Sequence, residues 1–105
     1  MKLDKIDHIA IQVKNIEESI SWYESKFNCK RLYVDESWGL IQFNNIKLAL
    51  VISSQHPKHF AIIDDSIYLD SESKKHRDGS VSKYIKDNDN NIIELLNYQN
   101  ESKEN

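Results

Sequence analysis

The sequence is poor in the residues that usually interrupt helices and strands or cross-link a fold. It contains one cysteine, one proline and two glycines among 105 residues. Because Cys29 has no second cysteine to pair with, no disulfide can form within the chain, and a reducing, cytoplasmic compartment is the simplest interpretation. We interpret Cys29 as a small buried apolar side chain rather than a nucleophile.

Long apolar runs and blocks of positive charge are also missing. The longest uninterrupted apolar run is about five residues, whereas a membrane-spanning helix needs roughly 20. The opening "MKLDKIDH" has no apolar region typical of a signal peptide. The formal net charge is −3, with Lys and Glu interspersed. The sequence therefore predicts neither a nucleic-acid partner nor a membrane partner.

The hydrophobic content is nevertheless sufficient for a core. Hydrophobic residues make up 39% of the chain and aromatic residues 10%, which argues against wholesale disorder. We predict a single domain over residues 1–98 and a polar C-terminal tail over residues 99–105. A domain of this size buries a smaller fraction of its surface than a larger domain does, so a homodimer would add useful burial.

The first half of the chain predicts the order β-α-β-β-β. "KIDHIAIQV" alternates as a half-buried strand, with Ile9, Ile11 and Val13 on the packing face and with His8 and Gln12 on the opposite face. A helix follows in "NIEESISWYESKFN", and three further strands are predicted in "CKRLYVDE", "WGLIQFN" and "IKLALVIS".

The predicted helix has a clear beginning. Asn15 is a suitable N-cap, and Glu18 follows three residues later as in a capping box. We expect Asn28 to end the helix and Trp22 to pack in the core or in an interface. The apolar stripe consists of Ile16, Ile20, Tyr23 and Phe27.

The second half predicts about four strands and no convincing helix. The strand candidates are "PKHFAIID", "SIYLDSES", "SVSKYIKD" and "NIIELLNY". Only Asp64 and Asp65 separate "HFAII" from "SIYL", and two residues are too few for a crossover between non-adjacent strands. Either "SIYLDSES" folds back as a hairpin, or it is not a regular strand of the sheet.

Three of the predicted strands each carry one ionisable residue of interest: His8, His59 and Glu94. Glu94 is flanked by apolar residues in "NIIELL", and a buried carboxylate needs a partner or a metal. Two imidazoles and one carboxylate form the facial triad that binds Fe(II), Mn(II) or Zn(II) with open coordination positions. The alternative is that both histidines are satisfied core residues and that Glu94 pairs with Lys83 or Lys86.

Two segments resemble the vicinal oxygen chelate superfamily, which includes glyoxalase I, bleomycin- and fosfomycin-resistance proteins, methylmalonyl-CoA epimerase and type I extradiol dioxygenases. "IDHIAIQVKNIEESISWYESKF" is similar to the family's opening strand and helix, and "HRDGSVSKYIKDNDNNIIELL" to its closing hairpin. The resemblance extends over roughly residues 3–97. It implies an α+β fold of paired βαβββ modules that form a glyoxalase-like cup, here with an abbreviated second module that lacks its helix.

The resemblance also implies a ligand set. His8, His59 and Glu94 match three of the family's metal-ligand positions, and the fourth falls at about Ala49, which cannot bind a metal. The remaining set resembles the three-ligand members and implies a divalent ion such as Fe, Mn, Zn or Ni. The closing turn "DNDNN" has Asn88 and Asn90 where the family usually has Pro and Gly, and Asn tolerates the left-handed conformation.

The function implied by this resemblance is a metal-dependent enzyme acting on a small molecule. The metal would act as a Lewis acid on vicinal oxygens of the substrate, in lyase or isomerase, dioxygenase or resistance-transferase chemistry. No general base is evident. One alternative is a metal-free small-molecule binding protein like the bleomycin-resistance relatives. Another is an interaction module in which a partner replaces the missing helix.

Several residues are candidates for substrate binding, each with an alternative. Gln12 could line the pocket or face solvent, Trp38 and Tyr84 could contact substrate or pack on the sheet, and His76 and Arg77 could bind an anion or form a solvated turn. An uncovered apolar face also predicts a homodimer, in which the site could be completed across chains. That face consists of Phe60, Ile62, Ile93 and Leu95.

Overall fold

The computed structural model describes residues 1–68, 73–76 and 79–98, and these residues contain one helix and eight strands. The α+β class is therefore confirmed. The helix in the described residues is not long and apolar enough to cross a membrane. The elements are β1 (Ile6–Val13), α1 (Ile16–Lys26), β2 (Lys30–Val34), β3 (Trp38–Gln42), β4 (Lys47–Ile52), β5 (His59–Ile63), β6 (Lys74–Lys75), β7 (Val81–Lys86) and β8 (Ile92–Asn97).

The chain divides into two compact units. The first unit is Asp7–Phe60, and the second combines Met1–Ile6 with the chain from Ala61 onward. The first unit contains the predicted β-α-β-β-β order. In the second, the described residues form strands without a helix, which confirms the abbreviated second module.

The strands of the first unit are hydrogen-bonded in the order β2-β3-β4-β1. The pairs β2–β3 and β3–β4 are antiparallel. The pair β1–β4 is parallel, and the chain between these two strands, α1 with β2 and β3, is long enough for the crossover that a parallel pair requires. On one face of these strands the helix packs through Ile16 and Ile20, which are buried against Ile41 and Leu50. This cluster is the main core of the unit.

The helix begins as the sequence predicts but ends earlier. The Asn15 side chain accepts a hydrogen bond of 2.9 Å from the backbone N–H of Glu18, so the predicted N-cap is confirmed. The helix ends at Lys26, not at Asn28, because the backbone becomes extended at Phe27. Phe27 therefore leaves the apolar stripe and is exposed, as is Trp22. The core alternative for Trp22 is wrong, and the interface alternative stays a prediction.

The opposite face of the first unit has an apolar cluster of its own. Ala10, Ala49 and Val51 are buried there, and Trp38 and Leu40 pack against them. The expectation that the His8 face of β1 does not pack is therefore wrong at Ala10. The two faces thus have different roles, since one carries the helix and the other presents small and aromatic side chains beside His8.

The closing hairpin of the second unit is formed by β7 and β8. In its turn, Asp87 accepts hydrogen bonds from the backbone N–H groups of Asp89 and Asn91. Asn90 has φ 69°, the left-handed conformation expected of an asparagine in the usual glycine position. The hydrogen bonds to Asp87, above all that from the Asn91 side chain, lower the pKa of its carboxyl.

The segment "SIYLDSES" is not a regular strand where the structure describes it. The Asp64 carboxylate accepts hydrogen bonds from the backbone N–H and the hydroxyl of Ser66, which form a turn after β5. Ile67 and Tyr68 belong to no strand, and residues 69–72 lie outside the described residues. The short β6 instead pairs with β7.

Gly39 allows the helix to approach the sheet closely, and this predicts that the stability effects of substitutions at Gly39 and Ile20 are coupled. A methyl group at Gly39 would lie 2.6 Å from Ile20 Cδ1 and 3.0 Å from Ile16 Cγ2. Gly39→Ala should therefore destabilise the fold by about 1–3 kcal/mol through overpacking. Urea unfolding of the single and double variants measures this cost. It should be smaller in an Ile20→Val background, which lacks the closest atom, and equal costs in the two backgrounds would contradict the account.

Candidate metal centre

His8 lies on β1 with one ring nitrogen hydrogen-bonded to a neighbouring carboxylate. His8 Nδ1 is 2.8 Å from Asp7 Oδ2, and the exposed fractions of the two side chains are 14% and 11%. An ionised carboxylate is only an acceptor, so Nδ1 carries the proton and donates it. In the neutral ring, Nε2 is then the nitrogen that has a lone pair for a metal.

A lysine from the neighbouring strand contacts the same carboxylate. Lys47 is paired with His8 in the parallel register of β1 and β4, and its Nζ lies 3.2 Å from Asp7 Oδ1. The residue beside His8 on β4 is thus Lys47 rather than Ala49, which pairs with Ala10. Neither a lysine ammonium nor an alanine is a metal ligand, so this strand adds no fourth ligand at either position.

His59 is oriented in the same way by a backbone group. Its Nδ1 is 2.8 Å from the carbonyl oxygen of Pro57, and a carbonyl can only accept. Nδ1 therefore donates, and Nε2 again has the lone pair of the neutral ring. The rings of His8 and His59 are 5.8 Å apart, edge to face, with an interplanar angle of 75°.

Glu94 lies on β8 and is 8% exposed. Tyr84 is directly opposite it in the β7–β8 register, so the two side chains share a face. Lys83 is paired with Leu95 and therefore lies on the other face. There its charge adds to the hydrogen bonds from Ser66 that chiefly lower the pKa of Asp64. Lys86 is on the Glu94 side but exposed. Strand register thus disfavours Lys83 as the partner of Glu94.

Among the described residues, His8, His59 and Glu94 form a group that could hold a metal ion. His8 and His59 belong to the first unit and Glu94 to the second. Two imidazoles and a carboxylate also suit a divalent ion chemically.

Two of the predicted substrate-binding residues belong to the first unit. Trp38 stacks on Tyr33, with ring centroids 4.6 Å apart and an interplanar angle of 29°, and it packs against the Ala10 and Ala49 cluster. Gln12 is exposed, and its Nε2 donates a hydrogen bond of 2.9 Å to the backbone carbonyl of His56. Gln12 therefore ties β1 to the segment before β5.

The remaining candidates belong to the second unit. His76 is partly buried, and its Nε2 lies 2.7 Å from the hydroxyl of the buried Ser82, so a purely solvated turn is the wrong description of His76. Arg77 lies outside the described residues. Tyr84 is 46% exposed, and its pKa is raised to about 12, first by burial and then by the negative charge of Glu94.

The sequence alone did not predict the roles of Asp7, Lys47 or the Pro57 carbonyl. Strand alternation places neighbouring residues on opposite faces, yet the Asp7 side chain reaches the His8 ring. A backbone carbonyl leaves no signal in a sequence. Only the juxtaposition of Asp and His in "IDHI" could have suggested an interaction.

The raised pKa of Tyr84 predicts a loss of stability at high pH. The pKa rises from 10.0 to about 12 in the folded protein, so the folded state binds this proton more tightly than the unfolded state. The associated stability is complete below about pH 10 and decreases as the pH rises towards about 12. Urea unfolding at about pH 9 and about pH 11 should show a smaller decrease for Tyr84→Phe than for the wild type. Tyr68→Phe, at an exposed tyrosine, is the control, and equal decreases in all three proteins would refute the assignment.

A family comparison matches the first part of the chain. The model of the Glyoxalase/Bleomycin resistance protein/Dioxygenase superfamily matches residues 5–65. No curated protein gives a significant match to the sequence.

Solved structures match most of the chain at low sequence identity. Methylmalonyl-CoA epimerase from Streptomyces coelicolor, in complex with 2-nitronate-propionyl-CoA, has a TM-score of 0.73 and 14% identity, over 93% of this chain and 99% of that chain. A hypothetical protein from Bacillus halodurans has a TM-score of 0.74 and 18% identity, over 91% of this chain and 95% of that chain. A glyoxalase/bleomycin resistance protein/dioxygenase superfamily member from Vibrio splendidus has a TM-score of 0.65 and 15% identity, over 90% of this chain and 99% of that chain. At these identities the matches show a shared fold.

Proposed function

The chain belongs to the glyoxalase/bleomycin resistance protein/dioxygenase superfamily, and from this we propose that it is a metal-dependent enzyme acting on a small molecule. The observation that supports the proposal best lies within the first unit: the ring centroids of His8 and His59 are 5.8 Å apart, and the Nδ1 atom of each ring is hydrogen-bonded to an oxygen. Glu94 is proposed as the third ligand because its position matches the family's ligand pattern. Fe, Mn, Zn and Ni are all compatible with this donor set.

The hydrogen bonds at the two histidines favour metal binding over a simple core role. Both Nδ1 atoms donate to oxygen acceptors, Asp7 and the Pro57 carbonyl, and this fixes the tautomer in which Nε2 can bind a metal. Metal-binding histidines almost always make such a bond through their other nitrogen. Glu94 would supply the negative charge, because both imidazoles bind as neutral groups.

The residues around the triad suggest how a substrate would be held. A bound divalent ion would supply Lewis-acid stabilisation of negative charge on substrate oxygens. In the first unit, Trp38 packs on the buried Ala10 and Ala49 and provides a flat apolar surface. Tyr84, like any tyrosine, is protonated at neutral pH, and its raised pKa keeps it so, so its hydroxyl can donate to a substrate oxygen. Gln12 and Arg77 are further candidates for substrate binding, and Arg77 lies outside the described residues.

The reaction classes open to such a site share one requirement. The substrate must offer two adjacent oxygen atoms to the metal, as in lyase or isomerase, dioxygenase or transferase chemistry. The epimerase structure similar to this chain is a complex with 2-nitronate-propionyl-CoA, which makes acyl-CoA compounds one class to assay. A homodimer is also proposed, since Ile62, Ile93 and Leu95 are partly exposed.

Metal binding is the direct test of this function. The wild-type chain, stripped with a chelator and titrated calorimetrically with Zn, Mn, Ni or anaerobic Fe(II), should bind about one equivalent of at least one ion. His59→Ala removes one of three ligands and should abolish stoichiometric binding. His56→Ala is the matched control, since it changes a histidine outside the triad. A wild type without stoichiometric metal, or equal binding by both variants, would refute the proposal.

The second candidate function is metal-free binding of a flat small molecule. The stack of Trp38 on Tyr33, beside the buried alanines, favours it, because aromatic faces bind planar apolar groups. A Trp22→Phe background leaves Trp38 as the only tryptophan, so its fluorescence can follow titration with planar aromatic compounds. Binding that a chelator leaves unchanged would support this function. Binding lost with the metal would support the enzyme instead.

A further inference from the structure

We propose that Asp7, held by Lys47, is a positioning residue that sets the orientation and the metal affinity of His8. This inference rests on the proposed function, since it concerns the same metal site. It adds two residues that act through a ligand rather than on the metal itself.

The Asp7 carboxylate uses its two oxygens for different partners. Oδ2 lies 2.8 Å from His8 Nδ1, and Oδ1 lies 3.2 Å from Lys47 Nζ. The exposed fractions of the three side chains are 11% for Asp7, 14% for His8 and 23% for Lys47. In such a poorly solvated position, charged hydrogen bonds are stronger than they are in water.

Lys47 is placed for this contact by strand register. The parallel pairing of β1 and β4 brings Lys47 beside His8, while the ammonium is bound to Asp7 rather than directed to the ring. A half-buried carboxylate without a cation would be costly, so Lys47 balances the charge of Asp7 and holds it in place. Lys47, the β4 residue beside His8, thus supports a proposed ligand instead of supplying one.

The two histidines are supported by groups of different charge. His59 donates to a neutral carbonyl, that of Pro57, whereas His8 donates to an anion. A carboxylate on the far nitrogen raises the basicity of a metal-binding imidazole, and losing such a partner costs about 10–100-fold in metal affinity. His8 should therefore be the stronger donor of the pair, and Asp7 is the support that a substitution can remove.

Zinc affinity of three variants tests the role of Asp7. The affinities are measured by competition with a chelating indicator, using the 105-residue chain. Asp7→Asn, which keeps the shape and removes the charge, should bind zinc about 10–100-fold more weakly than the wild type. Lys47→Met keeps the apolar stem and should show a smaller loss in the same direction. Asp4→Asn is the control, because it makes the same change at an exposed aspartate on the same segment.

A second measurement reads the position of the proton without metal. Nitrogen-15 NMR of the imidazole rings should show His8 protonated at Nδ1 in the wild type and in Asp4→Asn, and a mixture of tautomers in Asp7→Asn. A purely structural role for the ion pair would change the stability in urea but leave the His8 tautomer unchanged. If Asp7→Asn fails to fold, the wild-type spectrum and Lys47→Met still decide the question.

The outcomes separate this inference from the proposed function. A wild type that binds zinc, with Asp7→Asn binding as tightly as Asp4→Asn, would overturn the role of Asp7 alone. His8 protonated at Nε2 in the metal-free wild type would also overturn it. A wild type that binds no metal would overturn the proposed function and this inference together.

Discussion

The hydrogen bonds made by the Nδ1 atoms of His8 and His59 are the constraint on which the site depends. Each bond goes to an oxygen that can only accept, the Asp7 carboxylate and the Pro57 carbonyl. Each therefore fixes a proton on Nδ1 and gives the lone pair of the neutral ring to Nε2. Without these bonds, two histidines with ring centroids 5.8 Å apart would be compatible with core packing alone.

The scaffold of the first unit explains how one sheet can serve packing and binding. The helix buries Ile16 and Ile20 on one face, and Gly39 permits that close approach. The other face carries the small side chains of Ala10 and Ala49, and strand alternation places His8 in the same row of β1 as Ala10. The helix side thus carries the main core, while the other side combines a smaller apolar cluster with the proposed ligand His8.

Much of this architecture follows from local patterns in the sequence. The N-cap at Asn15, the β-α-β-β-β order and the left-handed Asn90 follow from propensity and alternation, which act over a few residues. The lack of space for a helix after β5 followed from the two residues between "HFAII" and "SIYL". Local rules suffice wherever the backbone conformation is decided locally.

The wrong predictions concern positions where a tertiary contact, or the end of a helix or strand, decides the conformation. The extended backbone at Phe27 depends on how the helix meets β2, and the turn at Asp64 depends on hydrogen bonds to Ser66. Asp7 was missed because strand alternation does not describe how far a side chain bends towards its neighbour. The three candidate ligands could be named from the sequence together with family resemblance, but the supports of two of them required coordinates.

The X-ray absorption spectrum of the zinc-loaded protein is the most direct test of the central claim. The account predicts a first shell of nitrogen and oxygen at about 2.0–2.2 Å, with the multiple-scattering signature of two imidazoles, and the loss of one imidazole in His59→Ala. A shell of water oxygens alone, or a sulfur scatterer at about 2.3 Å, would contradict it. Such sulfur could come from Cys29, the only cysteine in the sequence.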